Sequence, residues 1–151
     1  MSLFPELDRM SPAQLRAAFF DEEHAKQQGE EAELWLQELA MLIADSGPLI
    51  ADSDVNGIGF LLAAIPYMNE SRLRATLIGL TSQNETHAAH HRNEIATAGI
   101  ALLRDARPLV AMDAIDLLRS IGAVDAHDEV LALRNHASPH VDGAVLRYLS
   151  Q

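Results

Sequence analysis

The chain has 151 residues, no cysteine, and 11 Lys and Arg against 22 Asp and Glu, for a formal net charge of −11. This length is typical of one domain, and the lack of cysteine excludes disulfides, thiolate metal sites and cysteine nucleophiles. Because the basic residues are scattered and Lys26 is the only lysine, we expect no nucleic-acid partner. The N-terminus lacks signal-peptide features and no apolar run approaches the roughly 18 residues of a membrane span, so we expect a cytoplasmic protein with no membrane contact.

The first half of the chain predicts two helices. Ser11 is a candidate N-cap followed by Pro12 at the first helical position, so a helix should begin there and continue to Gly29. A second helix is predicted over residues 30–46, and Gly47-Pro48 should end it. We interpret residues 11–47 as an N-terminal helical hairpin or cap.

The remaining segments also have helical rather than alternating periodicity. Very short turns separate them, and such turns force consecutive helices to lie antiparallel. We therefore predict a single all-α domain over residues 1–151, in which residues 54–151 form helical pairs. Predicted helices cover residues 55–65, 71–83, 85–103, 104–122, 125–136 and 137–151.

An internal repeat is visible near the C-terminal end. Pro108-Leu109-Val110 and Pro139-His140-Val141 lie 31 residues apart. The same offset superimposes two apolar ladders with i, i+4, i+8 spacing, which comprise Val110, Ala114 and Leu118 in the first copy and Val141, Val145 and Leu149 in the second.

The segment DARPLVAMDAIDLLRSIGAVDAHDEVLALRNHASPHVDGAVLRYLS, residues 105–150, resembles the HEAT family of α-helical repeats. The resemblance implies a HEAT-like α-solenoid: a short right-handed stack of antiparallel helix pairs whose concave face is available to another protein, usually without catalysis. Ala111 and Asp142 stand where that family commonly has a basic residue, so the usual charge ladder between repeats is not expected. An irregular helical bundle is the alternative architecture.

Three histidines lie close together in THAAHHRNE, residues 86–94. His87, His91 and Glu94 share one flank of the predicted helix, and two imidazoles with a carboxylate suit a divalent metal such as zinc. His90 should point to solvent, and no HExxH motif is present. The alternatives are that His87 or His91 lines a binding groove, or that these histidines are solvated or pack between helices.

Other candidates have simpler interpretations. Asp21-Glu22-Glu23-His24 predicts a charged helical face with a Glu22–Lys26 ion pair. Trp35 is either a core residue or a binding anchor. Catalytic and phosphate-binding motifs are missing, so we expect neither an enzyme nor an organic cofactor. The chain is interpreted as a non-catalytic interaction module or adaptor whose acidic surface binds a protein, a basic one being a candidate; the alternative is a helical protein that binds a metal or small ligand through the His87/His91/Glu94 flank.

Overall fold

The computed structural model describes residues 4–45, 57–81 and 85–150, with the side chains of 85–90 outside that description. All regular structure in these ranges is helical, and they contain no strand. The all-α prediction is therefore confirmed. The chain divides into two compact units, Met1–Gln83 (unit 1) and Asn84–Gln151 (unit 2). The prediction of one domain over residues 1–151, with a division after residue 47, stays a prediction.

Unit 1 is built around its third helix. That helix, α3, packs against α1, α2, α4 and α5. Short 3-10 turns precede α1, α3 and α5 at Leu7–Arg9, Gly29–Glu31 and Ile65–Tyr67. The helices are α1 (Pro12–Phe19), α2 (Glu22–Gln27), α3 (Ala32–Asp45), α4 (Gly57–Ala64) and α5 (Glu70–Thr81).

The start of α1 agrees with the sequence prediction, but its end does not. Ser11 and Gln14 form a capping box: the Ser11 hydroxyl accepts from the Gln14 amide at 3.2 Å, and the Gln14 side chain accepts from the Ser11 amide at 2.8 Å. The predicted continuous helix to Gly29 is wrong, because Asp21 accepts a hydrogen bond from the His24 amide at 3.2 Å and starts a new helix. A side-chain cap of this kind satisfies a backbone donor that a continuous helix would pair internally.

Close packing fixes α3 against α5. Trp35 is fully buried in α3, which confirms the core interpretation. A Cβ atom at Gly79 of α5 would lie 2.9 Å from the Ala40 Cβ and 3.1 Å from the Met41 backbone nitrogen. Only glycine permits this approach without displacing α3. The candidate breaker Gly47-Pro48 lies outside the described residues.

Unit 2 contains α6 (Glu85–Leu102), α7 (Pro108–Ser120), α8 (His127–Leu131) and α9 (Pro139–Leu149). The long predicted helix over 85–103 is confirmed by α6. The predicted helix over 125–136 is much shorter, because α8 ends at Leu131 and the chain then turns, with Asn135 in the left-handed region at φ 65°. Helix α7 packs against α6 and α9, and α8 packs against α9.

The two repeat-related helices run in the same direction. Arg147 of α9 forms a two-point ion pair with Asp116 of α7, at 3.3 and 3.1 Å, and these residues occupy equivalent positions of the 31-residue repeat. The Tyr148 hydroxyl donates to the carbonyl of Ala123, just beyond the end of α7. Both contacts join the C-terminal part of α9 to the C-terminal part of α7. Of the six ladder residues, all but the half-buried Leu149 are fully buried.

No helix in the described ranges is both long and apolar enough to span a lipid bilayer.

Candidate functional site

Negative charge is concentrated in unit 1. Residues 1–83 contain five Lys and Arg against 13 Asp and Glu, a formal charge of −8, whereas residues 84–151 contain six against nine, a charge of −3. Two of the five cations of unit 1, Arg16 and Arg72, are buried. The Arg16 guanidinium lies 4.7 Å from the centre of the Phe60 ring. The outer surface of unit 1 is therefore strongly acidic.

Arg72 connects α5 to the junction between α1 and α2. Its Nε donates to the Phe19 carbonyl at 2.6 Å, and its terminal nitrogen binds the Glu22 carboxylate, also at 2.6 Å. Phe19 is the last residue of α1, so this carbonyl has no partner within the helix. The predicted Glu22–Lys26 ion pair is wrong: Lys26 instead lies 3.8 Å from Glu23. Arg72 captures Glu22 through a contact 50 residues apart in sequence.

A second group of carboxylates has no such partners. Glu30, Glu31 and Glu33, which we call the acidic face, are exposed at the 3-10 turn and first turn of α3. None of the three carboxylates makes a hydrogen bond or ion pair with any residue in the described part of the chain. Leu34 follows directly and its surface is 50% exposed. The arrangement combines uncompensated negative charge with an exposed apolar side chain.

The histidine stretch is only partly described. His91 Nδ1 lies 3.7 Å from Glu94 Oε2, and the His91 side chain is 19% exposed. The side chains of His87 and His90 lie outside the description. Among the described residues, no group of three or more His, Asp or Glu side chains is arranged to hold a metal. The structure thus brings His91 and Glu94 together and leaves the role of His87 a prediction.

Arg92, between these two residues, has a structural function. Its Nε donates to the Ile121 carbonyl at 3.0 Å and its NH2 group donates to the Gly122 carbonyl at 2.6 Å. These carbonyls follow the end of α7, where a cation is favoured by the helix dipole. Sequence analysis missed this contact, because the two carbonyls lie 29 and 30 residues further along the chain.

The acids of unit 2 differ from the acidic face because arginines neutralise several of them. Asp105 accepts two hydrogen bonds from the Arg107 guanidinium and one from the Arg107 backbone amide, at 2.8 to 2.9 Å, and the guanidinium bonds above all hold the pKa of the Asp105 carboxyl below its usual value. Asp116 binds Arg147, and Asp142 binds Arg134 at 3.2 Å. The free carboxylates of unit 1 are thus the better candidates for binding.

Comparison with protein-family models, curated proteins and solved structures gives no match to this chain. The chemistry of its side chains is therefore the basis for any functional assignment. The acidic face offers charge and an apolar contact but no arranged nucleophile, base or oxyanion site, which suits binding more than bond-making.

Proposed function

We propose that this protein is a non-catalytic interaction module, a cytoplasmic acidic adaptor that binds a basic protein partner through unit 1. The observation that carries the proposal is the acidic face: Glu30, Glu31 and Glu33 are exposed and uncompensated beside the half-exposed Leu34. Carboxylates without internal partners can pair with Lys or Arg of another protein without first breaking an existing ion pair.

Charge and apolar contact have separate tasks in this proposal. The charge of −8 on unit 1 steers a cationic partner over a distance of about one Debye length, roughly 8–10 Å at physiological salt. Leu34 then supplies contact that is not weakened by salt, since burial of its exposed half stabilises a complex by about 1 kcal/mol. Many interfaces combine charged side chains at the rim, which attract the partner, with an apolar side chain that is buried on binding.

The stacked arrangement of helix pairs that the HEAT resemblance implies is part of the same proposal. Support comes from α7 and α9, which begin at prolines 31 residues apart and run in the same direction. Asp142 stands at the repeat position of the buried Ala111 and forms an ion pair with Arg134, so the two copies differ at this position.

The proposal is tested with two double variants of equal charge change. Glu30→Gln/Glu31→Gln removes two carboxylates of the acidic face, and Asp125→Asn/Asp128→Asn removes two exposed carboxylates of unit 2. The probe is a helical peptide of Lys and Leu with a basic and an apolar face. Its dissociation constant is measured by fluorescence anisotropy at low and physiological salt, and the same peptide with Glu for Lys is the negative control.

We expect the unit 1 double variant to weaken binding roughly fivefold and to reduce its salt dependence, since an exposed charge pair contributes up to about 1 kcal/mol. Leu34→Ser should weaken binding with unchanged salt dependence. The unit 2 double variant should bind as the wild type does. Equal weakening by the two double variants would mean that net charge alone attracts the peptide and would contradict the proposed face.

A second candidate function, binding of a divalent metal such as zinc, is favoured by one distance. Two ligands of a tetrahedral zinc, each roughly 2.0–2.1 Å from the ion, lie roughly 3.4 Å apart. His91 Nδ1 and Glu94 Oε2, at 3.7 Å, are near that separation. His87, one helical turn earlier in α6, would supply the third ligand in this alternative. The same histidines could serve another function, in which His87 or His91 lines a binding groove.

The metal alternative is tested by thermal melts of untagged, metal-stripped protein with zinc and with EDTA. A site that exists only in the native state raises the melting temperature with zinc concentration. His87→Ala/His91→Ala should abolish that rise, and His140→Ala, an exposed histidine of α9, should preserve it. A melting temperature that does not respond to zinc would exclude zinc binding and would not affect the proposal that the acidic face binds a partner.

A further inference from the structure

Unit 2 contains a cavity of about 340 Å³ between the last turn of α6 and the turn that follows α8. This volume lies in the lower part of the range for small-molecule sites, roughly 300–1,000 Å³. Its apolar lining consists of Ile100, Ala101, Leu103, Ala132 and Leu133. Such a lining favours the hydrocarbon part of a ligand.

Two side chains of opposite charge complete the lining, Arg104 and Glu129. Both are exposed, and neither makes a hydrogen bond or ion pair with the other or with any further residue that the structure describes. Arg104 shares this property with Arg119, whereas the other four arginines of unit 2 bind carboxylates or carbonyls: Arg92, Arg107, Arg134 and Arg147. Of the two unpaired arginines, only Arg104 lines the cavity. A free cation and a free anion therefore face one apolar cavity.

We propose that this cavity binds a zwitterionic amino compound with an apolar side chain, that is, a free apolar α-amino acid. Its carboxylate would accept from the Arg104 guanidinium in a two-point, charge-assisted bond, and its ammonium would donate to Glu129. The hydrocarbon side chain would lie on the apolar lining. A simple anion would meet the Glu129 carboxylate, and a simple cation would meet Arg104, so only a ligand with both charges satisfies both groups. The inference goes beyond the proposed function because it involves unit 2 and no residue of the acidic face.

The first part of the test varies the ligand. Isothermal titration calorimetry is performed with leucine, phenylalanine and tryptophan, and with two analogues of phenylalanine that each lack one charge: 3-phenylpropionate and phenethylamine. We expect saturable one-to-one binding of at least one amino acid. Each analogue should bind about tenfold more weakly, because it loses one bond to a charged group.

The second part varies the protein. Arg104→Met and Glu129→Gln should each weaken amino-acid binding about tenfold with little change in the melting temperature, since both side chains are exposed and neither makes a hydrogen bond or ion pair with a described residue. Arg104→Met should strengthen binding of phenethylamine, and Glu129→Gln should strengthen binding of 3-phenylpropionate, because each variant removes the charge that repels that analogue. Arg119→Met and Asp128→Asn make the same charge changes at exposed positions outside the cavity lining and should retain full affinity.

Three results would overturn the proposal. One is the lack of saturable binding of all three amino acids up to their solubility limits. Another is equal affinity for phenylalanine and either single-charge analogue. The third is equal weakening by the cavity variants and their matched controls, which would show that binding depends on overall charge.

Discussion

In each unit an arginine donates to backbone carbonyls at the end of a helix, but the two arginines differ in burial. In unit 1, Arg72 binds the terminal carbonyl of α1 and the carboxylate of Glu22, and its side chain is 5% exposed. In unit 2, Arg92 binds two carbonyls beyond the end of α7 from a half-buried position. Both satisfy backbone acceptors that a helix end leaves unpaired. The comparison teaches that burial, more than the number of hydrogen bonds, should determine how much each arginine contributes.

The units also differ in how they neutralise their acids. Unit 2 pairs Asp105, Asp116 and Asp142 with arginines of its own, whereas unit 1 leaves the acidic face uncompensated. The net charge of −11 is thus unevenly distributed. This difference is the reason for the proposal that unit 1 binds the partner.

The largest effect is expected from Arg72→Met. The substitution leaves the Phe19 carbonyl unpaired and removes a buried charge-assisted contact, so unit 1 should lose about 3 kcal/mol of unfolding free energy. Urea unfolding followed by the fluorescence of Trp35, the single tryptophan of the chain, reports on this unit. Glu22→Gln is the matched control and should cost under about 1 kcal/mol, because the Glu22 side chain is 62% exposed and exposed pairs contribute little. Equal losses for the two variants would contradict the importance of burial.

Close helix packing gives a second comparison. Gly79→Ala should destabilise unit 1 by about 1–3 kcal/mol, because its Cβ would meet the Cβ of Ala40 and the backbone of Met41, which cannot move aside. Gly99→Ala in α6 should lower the unfolding free energy by about 1 kcal/mol less than Gly79→Ala does, or leave it unchanged. Its Cβ would meet the flexible Leu118 side chain at 3.0 Å, and alanine improves helix propensity. Denaturant midpoints of the two variants check the order, and a larger loss for Gly99→Ala would reverse it.

Arg92→Met should have a smaller effect than Arg72→Met. Two carbonyls lose a charged donor, but water can reach the exposed part of this contact, so the expected loss is about 1–2 kcal/mol. Hydrogen exchange of the amides of α7 measures it locally. Arg119→Met is the control, since the exposed guanidinium of this α7 residue has no hydrogen bond or ion pair with a described residue. If Arg92→Met lowered the unfolding free energy as much as Arg72→Met does, burial would not explain the difference between the two arginines.

The smallest effect is expected from Tyr148→Phe. The hydroxyl donates to the buried Ala123 carbonyl, so its removal should cost about 1 kcal/mol at pH 8. Burial, with the charges of Asp125 and Glu129, raises the pKa of Tyr148 above its usual value. A raised pKa stabilises the folded state below the unfolded pKa of about 10, and this contribution is lost as the pH rises further.

Stability of unit 2 measured by urea unfolding should therefore decline above about pH 10, and the decline should be shallower in Tyr148→Phe. Tyr67→Phe, which changes a tyrosine that is almost fully exposed in unit 1, should retain the wild-type profile. Identical profiles for Tyr148→Phe and the wild type would exclude Tyr148 as the titrating group.

Some features were accessible from sequence because they depend on neighbours within one or two turns. The N-cap at Ser11 with Pro12 at the first helical position follows from local hydrogen bonding and the fixed φ of proline. The predicted helices over residues 104–122 and 137–151 correspond to α7 and α9, but they begin before Pro108 and Pro139, where those helices start. The same local rules did not decide between one helix and two around Asp21, since an aspartate is tolerated inside a helix and also caps a new one. The acidic residues of the candidate face could be read from the sequence, but their lack of partners could not.

The sequence by itself therefore determined the helical class, most helix starts and the repeat that relates α7 to α9, because periodicity and capping act over a few residues. Tertiary structure decided which charges are neutralised. Arg72 reaches Phe19 across 53 positions, and Arg92 reaches Gly122 across 30; Arg104 and Glu129 meet at one cavity without pairing. Such contacts depend on how helices pack, and the packing decides whether two charges form an ion pair or remain apart.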